Sequence, residues 1–188
     1  MKIVLASRNA HKAAELEALL GDHDVITLPD DVVLPPEDAD TFAGNALGKA
    51  RAAADATGLP AVGDDSGIIA AELDGAPGVR SARFAGEHAT DQENLELLIE
   101  RVSIGSPLAY HCALAFAEPG GEEFVVEARC TGTMAAAARG SGGFGYDPIF
   151  VADDDDAGRT MAELSVEEKQ AISHRGRAAA LLRERLEQ

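Results

Sequence analysis

The sequence predicts an α/β fold with a mixed sheet, and two observations lead to that prediction. Strand-like and helix-like patterns alternate through the first third of the chain, which favours strands joined by helices. Two further strand patterns, at 108–117 and 123–130, are joined by Pro119-Gly120-Gly121, which is typical of a hairpin. Because a hairpin makes its two strands antiparallel, the sheet should contain both orientations.

The other elements are predicted from apolar runs and from helix-capping residues. Further strands are predicted at residues 2–6, 24–28 and 149–151, and helices at 10–20, 41–57 and 91–102, with a terminal helix ending at Leu186. Asn9 and Thr41 are good N-caps for the first two helices. Capping boxes are predicted at Thr90…Glu93, Thr160…Glu163 and Ser165…Glu168. In the third helix, Leu95, Leu98 and Ile99 should face inward.

The length and charge of the chain narrow the possible partners. Its 188 residues suit one domain spanning 1–188. The net charge of −17 argues against binding long nucleic acid, which requires a basic face. No apolar run approaches the roughly 20 residues of a membrane span, so no membrane partner is expected. Cys112 and Cys130 lack metal-site spacing and indicate reduced thiols in a cytoplasmic protein.

Two adjacent carboxylates, Asp64 and Asp65, stand between Gly63 and Gly67 after a short apolar run. The glycines predict a turn, so the aspartates are expected where one strand ends and another begins. Neighbouring strand residues face opposite ways, so one carboxylate should point into any groove there and the other away. Carboxylates near a buried sheet need partners or a metal, which indicates a functional site. The alternative is a tight turn in solvent.

A possible phosphate-binding loop lies between the first strand and the first helix. Ser7, Arg8 and Asn9 form the turn, and Lys12 follows one helical turn later. The start of a helix binds phosphate well because its N–H groups and dipole favour an anion. The alternative is an ordinary capped helix with Lys12 in solvent.

A glycine-rich stretch at 140–148 contains two aromatic residues, Phe144 and Tyr146. Glycine lets the backbone approach a ligand closely, and the two rings are expected to provide a stacking surface. Further on, Lys169, His174 and Arg175 form a donor-rich cluster in an otherwise acidic chain. The alternatives are a flexible loop and simple charge complementation at helix ends.

Other polar residues are less specific. Asn45 and Lys49 are spaced to lie on one face of the second helix, and Glu37 stands in the acidic loop before it. The run Asp153 to Asp156 lacks the ligand spacing of a calcium loop and predicts a solvated loop. Together these features are what a nucleotide hydrolase needs: carboxylates for a divalent metal, phosphate-binding groups and a base-stacking surface.

At this point the chain resembles the inosine triphosphatase-like family of pyrophosphatases, which act on non-standard purine nucleoside triphosphates. The resemblance covers nearly the whole chain and rests on six motifs in the same order. They are Ser7-x-Asn9-x-x-Lys12; Glu37 followed by Thr41-Phe42-x-x-Asn45-Ala46; Asp64-Asp65-Ser66-Gly67; Gly75-Ala76-Pro77-Gly78 before Ser81-Ala82-Arg83; Gly142-Gly143-Phe144-Gly145-Tyr146-Asp147-Pro148; and Glu168-Lys169 leading to Ser173-His174-Arg175.

The resemblance implies hydrolysis of ITP, dITP and XTP to the monophosphate and pyrophosphate, with Mg²⁺ as cofactor. It implies an elongated, twisted mixed sheet flanked by helices, in two lobes with a central groove, usually as a homodimer. Asp65 matches the family's proton acceptor and a metal ligand, and Glu37 matches the second metal ligand. The residues that match substrate contacts are Ser7, Arg8, Asn9, Ala10, His11, Lys12, Ser66, Phe144, Gly145, Tyr146, Asp147, Lys169, His174 and Arg175.

Two departures from the family pattern stand out: Ser7 replaces the usual Thr but keeps the hydroxyl, and the run from Asp153 to Asp156 is more acidic than is typical. Two alternatives to the predicted activity remain open. One is a Maf-type pyrophosphatase acting on pyrimidine or modified nucleotides, against which the Ser173-His174-Arg175 cluster argues. The other is a nucleotide- or metal-binding protein without turnover.

Overall fold

The structure is a computed structural model that describes residues 1–21 and 23–187. The described chain forms six strands: β1 (Lys2–Ala6), β2 (Asp24–Thr27), β3 (Ala61–Ala70), β4 (Pro107–Ala117), β5 (Glu123–Met134) and β6 (Phe150–Ala152). It also forms five α-helices: α1 (Ala10–Leu19), α2 (Phe42–Thr57), α3 (Asp91–Arg101), α4 (Val166–Ile172) and α5 (His174–Leu186). Short 3₁₀ helices cover Ala71–Leu73, Gly78–Arg83, Asp147–Ile149 and Met161–Glu163.

The six strands form one sheet in the order β2-β1-β3-β4-β5-β6. Strand β1 pairs in parallel with both β2 and β3, whereas β5 and β6 are antiparallel. The sheet is therefore mixed, and helices flank it, as the sequence predicted. No helix within residues 1–21 and 23–187 combines the length and the apolar character that a membrane span requires.

The chain divides into two compact units, each with its own hydrophobic core. Unit 1 comprises Met1–Asp65, Cys112–Ala128 and Arg175–Gln188, and unit 2 comprises Ser66–His111 and Arg129–His174. The core of unit 1 is formed by Ile3, Leu5, Leu16, Leu20, Val62, Cys112, Leu114, Phe116, Ala178, Ala179 and Leu182. The core of unit 2 includes Ile68, Leu95, Leu98, Tyr110, Tyr146, Ile149, Phe150 and Met161. The predicted groove between two lobes stays a prediction.

Helix starts agree with the capping residues seen in the sequence. Asn9 caps α1 and Thr41 caps α2, each by accepting backbone N–H groups of the first turn. The capping box of Thr90 and Glu93 is formed at α3. The other two predicted boxes also form, ahead of the Met161–Glu163 helix and α4. These contacts depend on residues three positions apart, which is why sequence alone identifies them.

The predicted strand junction at Asp64 and Asp65 is wrong, because β3 runs without interruption from Ala61 to Ala70. The flanking glycines allow close packing and make no turn. A Cβ atom at Gly63 would lie 2.1 Å from the backbone oxygen of Ala46 in α2. A Cβ atom at Gly67 would lie 2.3 Å from Oγ of Ser81. Both aspartates are therefore buried mid-strand, and the alternative of a solvent turn is excluded.

The predicted inward position of Ile99 is wrong, and the predicted solvated loop from Asp153 to Asp156 is confirmed for three of its four aspartates. Ile99 was expected to face inward but is 44% exposed, while Leu95 and Leu98 are buried. In the predicted solvated loop, Asp153, Asp154 and Asp156 are exposed, as expected. Asp155 differs, because it accepts the backbone N–H and the guanidinium of Arg159. The ion pair therefore links two loop residues that are four positions apart.

Candidate active site

Asp65 is a buried carboxylate in the middle of β3, with 4% of its surface exposed. Its Oδ2 accepts a hydrogen bond of 2.8 Å from Nδ2 of Asn45 in α2. Burial raises the pKa of Asp65, and the negative charge of Glu37 raises it further, while Lys12 and Lys49 oppose the shift. A carboxylate whose pKa is raised holds a proton more readily than an ordinary aspartate. That is the property a general base requires.

Asp64, the preceding residue, has a separate set of side-chain partners. Its Oδ1 lies 2.7 Å from Nζ of Lys12, and its Oδ2 accepts from Nε of Arg175 at 3.1 Å. Burial alone would raise the pKa of Asp64, but the charges of Arg175 and Lys12 outweigh it and hold the pKa well below its usual range. The thiol of Cys112 also donates to Oδ2, at 3.4 Å. Asp64 is thus a permanently charged anchor for two cations.

Lys49 and Asn45, one turn apart on α2, organise the carboxylates from the helix side. The ammonium of Lys49 donates to the carboxylate of Glu37 and to the backbone oxygen of Asp64. Asn45 uses both ends of its amide, because its Oδ1 accepts the N–H of Ala39 at 3.0 Å. The sequence pattern identifies Asn45 as a motif residue and Lys49 as its neighbour on the helix face, but assigns neither a role in the site. Their i, i+4 spacing was the available signal, but their partners are distant in sequence.

The predicted phosphate-binding loop has a fixed shape. Oδ1 of Asn9 accepts the N–H groups of His11 and Lys12 at 3.0 and 3.1 Å, and Oγ of Ser7 accepts the N–H of Asn9 at 3.2 Å. Ala10 and His11 are exposed at the start of α1. Lys12 keeps only 14% of its side chain exposed and pairs with Asp64. The lysine is therefore held beside the buried carboxylates, and the alternative of a solvent lysine is excluded.

The charges of unit 1 suit a divalent metal. Four carboxylates meet three cations in this cluster: Glu15, Glu37, Asp64 and Asp65 against Lys12, Lys49 and Arg175. Mg²⁺ prefers hard oxygen ligands and is usually held by one or two carboxylates together with substrate phosphates. Asp65 and Glu37 supply such oxygens, and their mutual repulsion is part of what raises the pKa of Asp65. The residues present therefore fit a divalent metal.

Unit 2 contains the second group of predicted site residues, organised by Asp147. Its Oδ1 accepts from the hydroxyl of Tyr110 at 3.0 Å, and its Oδ2 accepts from Nζ of Lys169 at 2.8 Å. Oδ2 also accepts the backbone N–H of Phe144 at 2.9 Å. At Gly143 the backbone has φ of +68°, and a Cβ atom there would lie 2.0 Å from Asp147 Oδ2. The glycine therefore permits the tight turn over the carboxylate.

The two aromatic residues of the glycine-rich loop have different roles. Phe144 is half-buried, and Nζ of Lys169 lies 5.1 Å from its ring centroid. Tyr146 is 6% exposed, and its hydroxyl donates to the backbone oxygen of Ser81 at 2.7 Å. The expectation that both rings provide a stacking surface is wrong for Tyr146, which belongs to the core. Burial also raises the pKa of Tyr146.

The predicted donor cluster of Lys169, His174 and Arg175 is divided. Lys169 pairs with Asp147, and the His174 ring stacks on Tyr110 with centroids 4.5 Å apart. Arg175 is 1% exposed, and its guanidinium binds Asp64 and Glu15 in unit 1. Arg175 is thus paired with the buried Asp64 and the half-buried Glu15 within unit 1, and a shared role of the three donors stays a prediction.

Unit 2 also contains a cavity of about 300 Å³ beside the glycine-rich loop. Its lining combines the first turns of α3 with that loop: Asp91, Gln92, Leu95, Ser141, Gly142, Gly143, Phe144, Gly145 and Pro148. The volume is at the lower end of the range of small-molecule pockets. Ser66, the remaining predicted contact, is half-buried on β3.

Comparison with known proteins identifies relatives along the whole chain. A protein of Streptomyces coelicolor named dITP/XTP pyrophosphatase is 49% identical over 189 aligned residues, covering 94% of this chain and 92% of that protein. A Geobacter sulfurreducens protein of the same name is 44% identical, covering 98% of this chain and 96% of that protein. The solved structure of a HAM1 protein from Coxiella burnetii has a TM-score of 0.85 at 42% identity, covering 99% and 98% of the two chains.

The Staphylococcus aureus Ham1 protein has a TM-score of 0.86 at 36% identity, covering 100% of this chain and 98% of its own. The model of the Ham1 family matches residues 3–185. The match extends over the sheet, both groups of site residues and the terminal helix, so the resemblance seen in the sequence motifs is confirmed. This chain belongs to the Ham1 family.

Proposed function

We propose that this chain is a nucleoside-triphosphate pyrophosphohydrolase that converts dITP, XTP and ITP to the monophosphate and pyrophosphate. Relatives at 44 to 49% identity bear the name dITP/XTP pyrophosphatase. The observation that carries the proposal in this chain is Asp65, a buried carboxylate with a raised pKa beside Glu37 and two lysines. Such a group can accept a proton from water next to a polyanionic substrate.

The residues around Asp65 suggest how the reaction proceeds. Asp65 accepts a proton from the attacking water, while Asn45 holds the orientation of its carboxylate. The new oxygen–phosphorus bond forms as the anhydride bond between the α- and β-phosphates breaks, and pyrophosphate leaves. Lys12 and Lys49 balance charge on the phosphates. Mg²⁺, which Asp65 and Glu37 would hold, would neutralise phosphate charge and polarise the phosphoryl group under attack.

Base recognition is proposed for unit 2. Phe144 supplies the half-buried aromatic face, and Lys169 lies over that ring while paired with Asp147. The hydroxyl of Ser66, next to Asp65 in β3, and the backbone of Gly145 are proposed as further substrate contacts. Arg175 is proposed to act through Asp64, because its guanidinium already binds two carboxylates.

We further propose that the chain is a single domain, that it forms a homodimer, and that it is cytoplasmic. The family resemblance supports the first two proposals. The third is supported by Cys112 and Cys130, which are buried thiols not joined in a disulfide bond. Sedimentation equilibrium tests the dimer directly.

A nucleotide panel tests the proposed activity. ITP, dITP, XTP, GTP, ATP and pyrimidine triphosphates are incubated with the protein and Mg²⁺, and pyrophosphate and orthophosphate are assayed separately. We expect pyrophosphate and monophosphate from ITP, dITP and XTP. Preference for pyrimidine triphosphates would identify a Maf-type activity, and absence of turnover with every nucleotide would identify a non-catalytic protein.

A further inference from the structure

Arg8 occupies the variable position of the Ser7-x-Asn9 motif, and its side chain binds protein backbone. The guanidinium donates to four carbonyl oxygens within five residues, at 2.7 to 3.3 Å: those of Leu28, Pro29, Asp30 and Val32. It also lies 3.6 Å from the carboxylate of Asp30. This is a multidentate contact with one short stretch of chain, although 46% of the Arg8 side chain remains exposed.

The stretch that Arg8 binds is the first part of the segment 28–40, which joins β2 to α2 and carries Glu37. The second part rests on α2, where Asn45 accepts the N–H of Ala39 and Lys49 pairs with Glu37. In the first part, only Leu28 and Val32 have buried apolar side chains. Because none of residues 28–40 belongs to a helix or strand, the segment depends on such side-chain contacts for its order.

We propose that Arg8 is a positioning residue that fastens the segment 28–40 to the phosphate-binding loop and so holds Glu37 ready for the metal. The inference rests on the proposed role of Glu37 as a metal ligand. It assigns Arg8 a function different from phosphate contact, although the residue lies inside the phosphate-binding motif.

The chemistry of arginine fits this role better than that of lysine. Guanidinium has five N–H donors in a planar fork and can bind several carbonyl oxygens at once, whereas an ammonium acts as a compact point charge. Ordering a flexible segment before a ligand arrives removes part of the entropic cost of binding. The same contact links the loop for the phosphates to the segment for the metal, so their relative placement is set before substrate binds.

The experiment compares Arg8→Ala and Arg8→Lys with the parent, and Arg51→Ala serves as a matched control. Arg51 is also a partly exposed arginine of unit 1, but it pairs with Glu123. Three quantities are measured: amide hydrogen exchange of residues 28–40, Mn²⁺ affinity of the nucleotide-free protein by calorimetry, and KM for ITP at saturating Mg²⁺. Thermal unfolding of each variant reports global stability.

For Arg8→Ala we expect faster exchange confined to 28–40 and Mn²⁺ affinity lowered by about tenfold, a typical effect of removing support behind a metal ligand. KM for ITP at saturating metal should stay within about twofold, because uniform substrate binding is untouched. Arg8→Lys should fall between Arg8→Ala and the parent. Arg51→Ala should leave exchange in 28–40 and Mn²⁺ affinity unchanged.

Several outcomes would overturn the inference. A large rise in KM with unchanged exchange and Mn²⁺ affinity would make Arg8 a phosphate ligand. Exchange that rises throughout the protein, or in 28–40 without a change in Mn²⁺ affinity, would leave Arg8 a merely stabilising residue. Glu37→Gln separates this result from failure of the proposed function. If it abolishes Mn²⁺ binding while Arg8→Ala does not change it, only the Arg8 inference fails; if Glu37→Gln leaves Mn²⁺ binding intact, the proposed metal role fails.

Discussion

Neighbouring aspartates of β3 have opposite electrostatic environments, although both are buried. Asp64 is stabilised as an anion by Arg175 and Lys12, and its pKa is lowered. Asp65 accepts a hydrogen bond from the neutral amide of Asn45, and burial raises its pKa. A group whose pKa is raised on folding opposes folding when it is ionised, whereas a group whose pKa is lowered favours it. One aspartate therefore costs stability and the other provides it.

For Asp65→Asn we expect activity to fall by roughly 100- to 10,000-fold from loss of the general base alone. Loss of the metal ligand should add to that effect. Stability should be unchanged or higher, because the amide removes an ionised group that folding disfavours. Pyrophosphate release and chemical denaturation measure the two effects. A variant that is inactive because it is unfolded would contradict this expectation.

For Asp64→Asn we expect stability to fall, whereas for Asp65→Asn we expect it to be unchanged or higher. Removing this charge takes one carboxylate partner from the buried guanidinium of Arg175, and breaking a buried ion pair costs about 3–5 kcal/mol. The free energy of unfolding, from urea titration, should fall by that order. Activity should fall as well, since Lys12 loses its anchor. If Asp64→Asn is as stable as the parent, the ion cluster does not support the fold.

At the scale of elements, the glycine-rich loop is held by one carboxylate that binds a tyrosine, a lysine and a backbone N–H. Gly143 permits this arrangement through both its positive φ and the absence of a side chain. The matched case is Gly158, which has a similar φ of +65° but open space where a Cβ would lie. Comparing the same substitution at the two glycines therefore distinguishes the effect of backbone strain from the effect of displacing Asp147.

We expect Gly143→Ala to weaken nucleotide binding and to destabilise the protein more than Gly158→Ala does. Both variants bear a backbone strain of about 1–3 kcal/mol. Only Gly143→Ala pushes on Asp147 and so disturbs Lys169. Comparison of KM for ITP and of thermal unfolding in the two variants tests this. Equal effects in both would show that strain alone matters.

Lys169, which pairs with Asp147 at the glycine-rich loop, leads to a prediction about which bases are accepted. Hypoxanthine and xanthine present an acceptor oxygen at C6, whereas adenine presents a donor, and lysine only donates. We expect the protein to prefer ITP and XTP to GTP, and GTP to ATP. In Lys169→Met, turnover of ITP should fall roughly tenfold or more relative to ATP, as for a lost charged hydrogen bond. Lys2→Met, at an exposed position, is the control. Equal losses for ITP and ATP would place Lys169 on the phosphates.

At the scale of the whole molecule, the boundary between the two units falls inside β3, β4 and β5. Unfolding one unit alone would require these three strands to break partway along their length. We therefore expect the chain to unfold in a single two-state transition, with equal calorimetric and van't Hoff enthalpies. Two resolved transitions would show that the units are separate domains.

Sequence predicted the features that depend on near neighbours and missed those that depend on distant ones. Helix caps such as Thr90 with Glu93, and the hairpin of β4 and β5, are local and were predicted. Gly63 was misinterpreted because a glycine indicates either a turn or a close approach, and only the position of Ala46 distinguishes them. Arg175 was grouped with Lys169 by proximity in sequence, yet its partner Asp64 is 111 residues away.

The close approach of β3 to α2 at Gly63 also disfavours folding in which β3 is shifted by one residue. The acid that would accept a proton and the acid that anchors two cations are consecutive, so sliding β3 by one position would move one of them into the environment of the other. Such a slide would place Val62 or Asp64 at the position of Gly63, where a Cβ atom would lie only 2.1 Å from the backbone oxygen of Ala46. Because only a glycine fits at this point of contact, β3 can pack against α2 in a single alignment. The alignment of the site is thus decided during folding by Gly63, two residues before the carboxylate proposed as the general base.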